Sequence, residues 1–170
     1  MRGNLFKKNT NMLKRSLLLL FLSLFCCYGE PEEPDVYLIP ENFEGTVFVI
    51  YDYPFGEEIN IIDNQRIFKI PENGVLKTKF KQNKKSYKFP YFYTYNKSNK
   101  KEQIDFVLPG SFNSHNYTDK NQKLILNIEL GRYKDYSYSM ISVSSVSSVS
   151  NIDKGNNRHQ LLNKVLKSLD

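Results

Sequence analysis

One stretch of this chain limits its fold more than any other. In residues 45–53, Val47, Val49 and Tyr51 fall on one side of an extended backbone, and Phe48 and Ile50 fall on the other, because side chains alternate along a strand. A strand that is apolar on both sides has to be central in its sheet and covered above and below. Short apolar runs separated by turn residues surround it, which is the pattern of an all-β domain. Composition points the same way. The 170 residues include no alanine, the best helix former, and no tryptophan, but 12 tyrosines and 12 phenylalanines, residues that favour strands.

The other runs can be placed by the same reasoning. Residues 36–39 form a short strand closed by Pro40. Residues 59–62 and 66–70 flank Asp63-Asn64 as a hairpin. Pro71-Glu72-Asn73-Gly74 is a strong turn, and residues 75–80 are expected to pair back across it. In residues 84–95, Tyr87, Phe89, Tyr91, Tyr93 and Tyr95 share one face, while Pro90 suggests an edge strand or a bulge. Residues 104–108, 124–130 and 136–143 complete the set, the last two linked near Gly131. About eight or nine strands predict an all-β fold, a small two-sheet antiparallel β-sandwich. Residues 158–169 add a short C-terminal amphipathic helix, with Leu161, Leu162, Val165, Leu166 and Leu169 on one stripe. Such a helix has to dock to persist, on its own sandwich or on a partner.

The N-terminus reads as a secretory leader. Lys7, Lys8, Lys14 and Arg15 precede an apolar run at residues 17–27. As a helix this run would span about 16 Å, short of a bilayer core of roughly 30 Å, so a signal peptide is expected. Met12-Leu13-Lys14-Arg15 would also serve as a compact start of that leader. Leu24-Phe25-Cys26-Cys27 resembles a loose bacterial lipobox, which implies that Cys27, or alternatively Cys26, carries a lipid anchor. These are the only two cysteines and they are adjacent, so no disulfide framework can form. The expected organisation is a lipoprotein signal peptide (1–27), an acidic tether (28–35), the sandwich (36–143), a Ser/Asn-rich linker (144–157) and the helix (158–169). The acidic tether resembles the stretch that directs some lipoproteins of Gram-negative bacteria to the cell surface.

Charge supports the same placing. The net charge is +6, but Arg2, Lys7, Lys8, Lys14 and Arg15 all lie in the leader, so the remaining body is close to neutral. A polyanionic partner loses its support, and no nucleic acid is expected as a ligand.

Two segments are familiar together: Tyr37-Leu38-Ile39-Pro40-Glu41-Asn42-Phe43-Glu44-Gly45, and the Arg66-Ile67-Phe68-Lys69-Ile70-Pro71-Glu72-Asn73-Gly74-Val75-Leu76-Lys77-Thr78 run that follows. The pair resembles an uncharacterised domain of unknown function found in small bacterial lipoproteins. The resemblance covers residues 36–80 and implies a β-rich exported domain with no catalytic residues to transfer. Both Ile-Pro-Glu-Asn copies read as turn chemistry, with proline ending the ladder and asparagine bending the chain.

Catalytic candidates are few. His115 and His159 are far apart in sequence and have no thiol partner, so neither a Cys-His dyad nor a zinc site is expected. Asp119-Lys120-Asn121 begins like a calcium loop but lacks its glycine and terminal glutamate. Glu57-Glu58 cannot act as a facing pair, because neighbours on a strand point apart. The lysines in 79–85 and 97–101 read as solubilising loops, or as contacts for an anionic glycan. Asn96-Lys97-Ser98 and Asn116-Tyr117-Thr118 are glycosylation sequons that would matter only in a eukaryotic host. Tyr87, Tyr91, Tyr93 and Tyr95 are the candidate ligand-binding residues if they face solvent. Without tryptophan, however, the expectation is that they fill the core.

The expected protein is a monomeric, non-enzymatic outer-membrane lipoprotein with a binding or structural role, needing no metal or cofactor. Its partners would be the membrane, through the anchor, and an envelope glycan or protein. The alternatives are an envelope glycan hydrolase and an accessory subunit docking through the C-terminal helix.

Overall fold

The computed structural model describes residues 33–83, 88–98, 100–108, 110–149 and 156–169. The leader with Met12, Cys26 and Cys27, the tether up to residue 32, Tyr87 and most of the 150–157 linker lie outside the described residues. Among the described residues, ten strands and one α-helix follow in order: β1 (Val36–Pro40), β2 (Gly45–Ile50), β3 (Asn60–Ile62), β4 (Gln65–Lys69), β5 (Val75–Lys77), β6 (Tyr91–Tyr95), β7 (Lys101–Gln103), β8 (Asp105–Phe106), β9 (Lys123–Tyr133), β10 (Tyr136–Ser145) and α1 (Asn156–Lys167). The first sheet has the order β3-β4-β1-β6-β7 and the second β5-β2-β10-β9-β8.

The two-sheet fold is the one expected, but the sheets are mixed rather than antiparallel. β1 runs parallel to β4 and β6, β2 parallel to β5, and β8 parallel to β9. For the β1–β4 and β2–β5 pairs the reason lies in the two Ile-Pro-Glu-Asn segments. In each, a carbonyl accepts the amide three residues on, Pro40 from Phe43 and Pro71 from Gly74, both at 2.9 Å. Each turn lifts the chain out of the first sheet and into the second. The strand after Gly74 therefore does not pair back on β4, as expected from sequence, but joins β2 in the other sheet. The two units β1–turn–β2 and β4–turn–β5 are arches stacked side by side. Gly74 sits at φ +75° with the Phe43 ring against it, where a Cβ would lie 2.6 Å from the ring. Only glycine meets both demands.

Other elements follow sequence more closely. Asp63 and Asn64 both take positive φ in the β3–β4 hairpin. Of the expected strand at 104–108 only β8 forms, because the chain leaves the first sheet after β7, just before that run, and enters the second at β8, with Ile104 buried at the crossing. β10 pairs with β9 as far as Ser145, and Val146 is buried, so residues 144–146 belong to the sandwich and not to a linker. A register shift between Ser142 and Val143 leaves Leu126 as an extra residue in β9. That bulge turns both Ile125 and Ile128 towards the core.

The core between the sheets is aromatic. Parallel pairing sets Phe68, Tyr37 and Phe92 in one row. Tyr37 stacks on both neighbours, at centroid distances of 5.1 and 5.3 Å. Tyr51 meets Phe68 edge-on from the opposite sheet. The Tyr37 and Tyr51 hydroxyls lie 2.8 Å apart, and Tyr51 lies 3.0 Å from Ser139 Oγ. At the end of this core the Arg66 fork grips Asp35 through Nε and Nη2, each at 2.8 Å, and Nη1 donates to the Lys81 carbonyl at 2.7 Å.

The other face of β2 is covered by α1. Leu162, Leu166 and Leu169 bury themselves against Phe48, Ile50 and Met140. The apolar stripe of the helix is thus occupied by its own domain, and Leu161 is left 45% exposed. Leu166→Ala should cost roughly 2–5 kcal/mol and lower the melting temperature clearly. Leu161→Ala should leave it nearly unchanged, and thermal denaturation of the two variants checks the contrast.

Burial pushes the Tyr51 hydroxyl up to about 12 and holds Tyr37 well above its ordinary value, with the nearby Tyr51 and Asp35 charges adding to the shift of Tyr37. A raised folded-state value means that the neutral hydroxyls stabilise the fold fully below the ordinary value of 10, and that this contribution fades as pH climbs towards about 12. Absorbance titration should show a late tyrosinate step coinciding with loss of the near-ultraviolet circular dichroism. All 12 tyrosines ionising together near the ordinary value of 10 would contradict it.

Candidate functional site

β6 separates its side chains by parity. Phe92 and Thr94 point into the core, and Tyr91, Tyr93 and Tyr95 point out. The expectation that the tyrosine row fills the core is therefore corrected: Tyr37, Tyr51, Phe68 and Phe92 occupy that space instead. Pro90 is not on an edge strand either. It precedes β6, which lies between β1 and β7, and the next residue donates its amide to the Asp35 carbonyl at 2.9 Å. Of the four candidate binding tyrosines, Tyr91, Tyr93 and Tyr95 stand together on the outer face, about 6.6 Å apart in succession. Tyr87 lies outside the described residues.

Register defines the surroundings of this row. Val36 and Leu38 of β1 lie beside Tyr91 and Tyr93, and Gln103 and Lys101 of β7 lie beside Tyr93 and Tyr95. Tyr91 is the most open, at 43% exposure. Tyr95 is more constrained: its hydroxyl donates to the Ile70 carbonyl at 2.9 Å, and Lys69 Nζ sits 4.8 Å from its ring centre. Partial burial and then the Glu72 charge hold its hydroxyl above the usual value.

Beyond Tyr95 the row opens into a groove of about 500 Å³ lined by Glu41, Asn42, Lys69, Glu72 and Asn96. The sequence carried a signal for it. β1 and β4 are parallel with Leu38 opposite Lys69, so the same offset sets Glu41 beside Glu72. The repeated Ile-Pro-Glu-Asn segments are turns, as read, and they also place two carboxylates on one groove. The arrangement offers flat aromatic faces next to carboxylates and amides. It can stack on a ring and hydrogen-bond its substituents.

Carboxylates also gather elsewhere. Glu41, Glu44, Glu102 and Asp119 line a polar cleft of about 630 Å³. A glycan hydrolase needs one acid with a raised pKa. Glu44 moves the opposite way: a hydrogen bond from Lys123 at 2.9 Å pulls it below the usual range. Glu102 is tied to Lys100 at 2.6 Å. Glu57 and Glu58 are exposed, and Glu58 pairs with Lys79. His115 and His159 are exposed on a short 3-10 turn and on α1. Among the described residues, no group of three histidine, cysteine or acidic side chains could hold a metal ion. No described helix is long and apolar enough to cross a membrane.

Comparison with known proteins fits this architecture. A crystal structure named "Putative Lipoprotein from Bacillus anthracis" superposes with a TM-score of 0.51 at 17% identity, covering 79% of this chain and 94% of that one. At that identity the likeness concerns the fold alone. No curated protein matches the chain. A family described as "Family of unknown function (DUF6843)" matches residues 31–160, well over half of the sequence, and the chain belongs to that family.

Proposed function

We propose that this is a non-enzymatic, lipid-anchored protein of the bacterial envelope whose sandwich binds an envelope glycan on the outer face of its first sheet. The observation that carries the reading is the outward row of Tyr91, Tyr93 and Tyr95 running into the groove of Glu41, Asn42, Glu72 and Asn96. Tyrosine rings stack on the apolar faces of sugar rings, and the groove's carboxylates and amides match hydroxyl groups. The anchor reading rests on the basic leader, the short apolar run and Cys27, with Cys26 as the alternative register. The name carried by the Bacillus anthracis neighbour agrees with it. Outer-membrane attachment with the domain facing outwards is the finer form of the proposal, drawn from the acidic tether.

Intact-mass analysis of the membrane-extracted protein tests the anchor. The expected species begins at Cys27 with diacylglycerol and an acyl group, and Cys27→Ala should abolish it. A soluble protein with a free N-terminus would refute the anchor. The glycan is tested by co-sedimentation with purified peptidoglycan sacculi. Tyr91→Ala and Tyr93→Ala should each weaken binding about fivefold, the equivalent of about 1 kcal/mol per lost stacking surface. Failure of the unaltered protein to sediment, or sedimentation of both variants as complete as that of the unaltered protein, would refute this face as the glycan site.

A further inference from the structure

A second feature is independent of the tyrosine row. Between the sheets, at the end where β1 and β6 begin, lies a cavity of about 420 Å³. That is within the usual size range of small-molecule sites. One part of its wall is apolar: Phe92 from the first sheet, Ile128 and Ile141 from the second. Phe89 and Leu130 also line it and are 53% and 64% exposed, unusually open for large apolar side chains bordering one cavity.

Its polar groups have unused donors. Tyr37, Tyr51 and Ser139 form one chain of hydroxyls. Three hydroxyls carry three protons, and the chain's two hydrogen bonds use two of them. Whichever way the bonds run, one O–H is left without an acceptor among the described residues. Gln82 lines the same cavity, and its buried amide nitrogen also has no partner among the described residues. Buried donors of this kind are costly when left unpaired.

Two charged side chains, Asp35 and Lys88, also line the cavity, and both are already engaged. Asp35 is held in the Arg66 fork, whose third nitrogen is spent on the Lys81 carbonyl. Lys88 Nζ donates to Glu33 at 2.9 Å. A charged ligand head would therefore be desolvated without a counter-ion, whereas a neutral acceptor would meet two waiting donors.

We infer that this cavity is a binding site for a neutral acyl amide or ester, its chain against Phe92, Ile128 and Ile141 and its carbonyl oxygen on the free hydroxyl proton and Gln82 Nε2. Such a molecule can come from solution or from a membrane lipid.

The chain from Glu32 onwards is one compact unit with its cores inside it, and it serves for the test. Octanamide is titrated into the isotope-labelled protein and followed by amide NMR shifts. The expected result is saturable shifts at Ser139 and Ile141, at least tenfold weaker binding of octanoate, and about tenfold weaker binding of octanamide by Leu130→Asp. Leu130 is already largely exposed, so this variant should keep its melting temperature, and a preserved spectrum away from the cavity verifies that. Gln82→Ala should weaken octanamide severalfold without weakening octane, which has no acceptor. Displacement of bound octanamide by neutral phosphatidylcholine vesicles would make a membrane lipid the source, and its retention a soluble amide or ester; both support the site. No shift at Ser139 and Ile141 up to the solubility limit, equal affinity for octanoate, or unchanged binding by a folded Leu130→Asp would each overturn it. None of these outcomes depends on the glycan face, whose tyrosines point away from the cavity.

Discussion

The structure depends on a strand that cannot tolerate water on either side. Val47, Val49 and Tyr51 demand a partner sheet, and Phe48 and Ile50 demand a second cover on the opposite face. The first demand makes this a sandwich. The second makes the C-terminal helix part of the domain, because without it Phe48, Ile50 and Met140 would face solvent. Burying a side chain of that size contributes about 1.5–3 kcal/mol. The dependence is mutual: α1, with 12 residues, is too short to persist undocked. The second sheet is therefore a middle layer, which explains why β2 and β10 contribute so much of the fully buried apolar surface.

The stacked arches are the second organising feature. A hairpin returns the chain beside itself in one sheet, whereas an arch sends it to the facing sheet, and a second arch can then lie parallel to the first. This is how strands close in sequence come to pair in parallel without a helical crossover. Parallel register puts like residues side by side, and the core uses that directly. Phe68, Tyr37 and Phe92 form a three-ring stack across the three central strands of the first sheet, in a chain without a single tryptophan. The same register sets Glu41 and Glu72 together at the arch tips.

How far the sequence is legible follows from this. Alternation in residues 45–53 revealed the central strand, Asp63-Asn64 revealed a hairpin, and the leucine spacing revealed the helix, because each is a local signal. The direction taken after Pro71-Glu72-Asn73-Gly74 was not legible, since the same turn residues serve a hairpin or an arch, and the Phe43 ring that packs against Gly74 in the arch is distant in sequence. β7 was hidden for a different reason: Lys101-Glu102-Gln103 is short, polar and exposed, with no alternation to read. In the candidate site, the parity of Tyr91, Tyr93 and Tyr95 was plain. Their facing was not, because parity gives two sets of side chains without saying which set is inside. The competition was decided by Tyr37 and Tyr51, distant in sequence, which had already filled the core.

Tyrosine thus serves two purposes here, and what separates them is register. A one-residue slip of β6 against β1 would turn Phe92 and Thr94 outwards and drive the tyrosine row inwards. The point that fixes β6 is the start of the first sheet. There the Asp35 carbonyl accepts the amide of Tyr91, and its carboxylate is locked in the Arg66 fork of β4. One residue thereby ties the beginnings of β1, β4 and β6 to one another. Asp35 read in sequence as the last residue of a solvated acidic tether, yet only 9% of it is exposed, and it is where the tether ends and the fold begins. A buried bidentate pair of this kind adds little net stability over apolar packing. Its geometry instead excludes neighbouring registers, and so holds the outward face on which Tyr91, Tyr93 and Tyr95 stand.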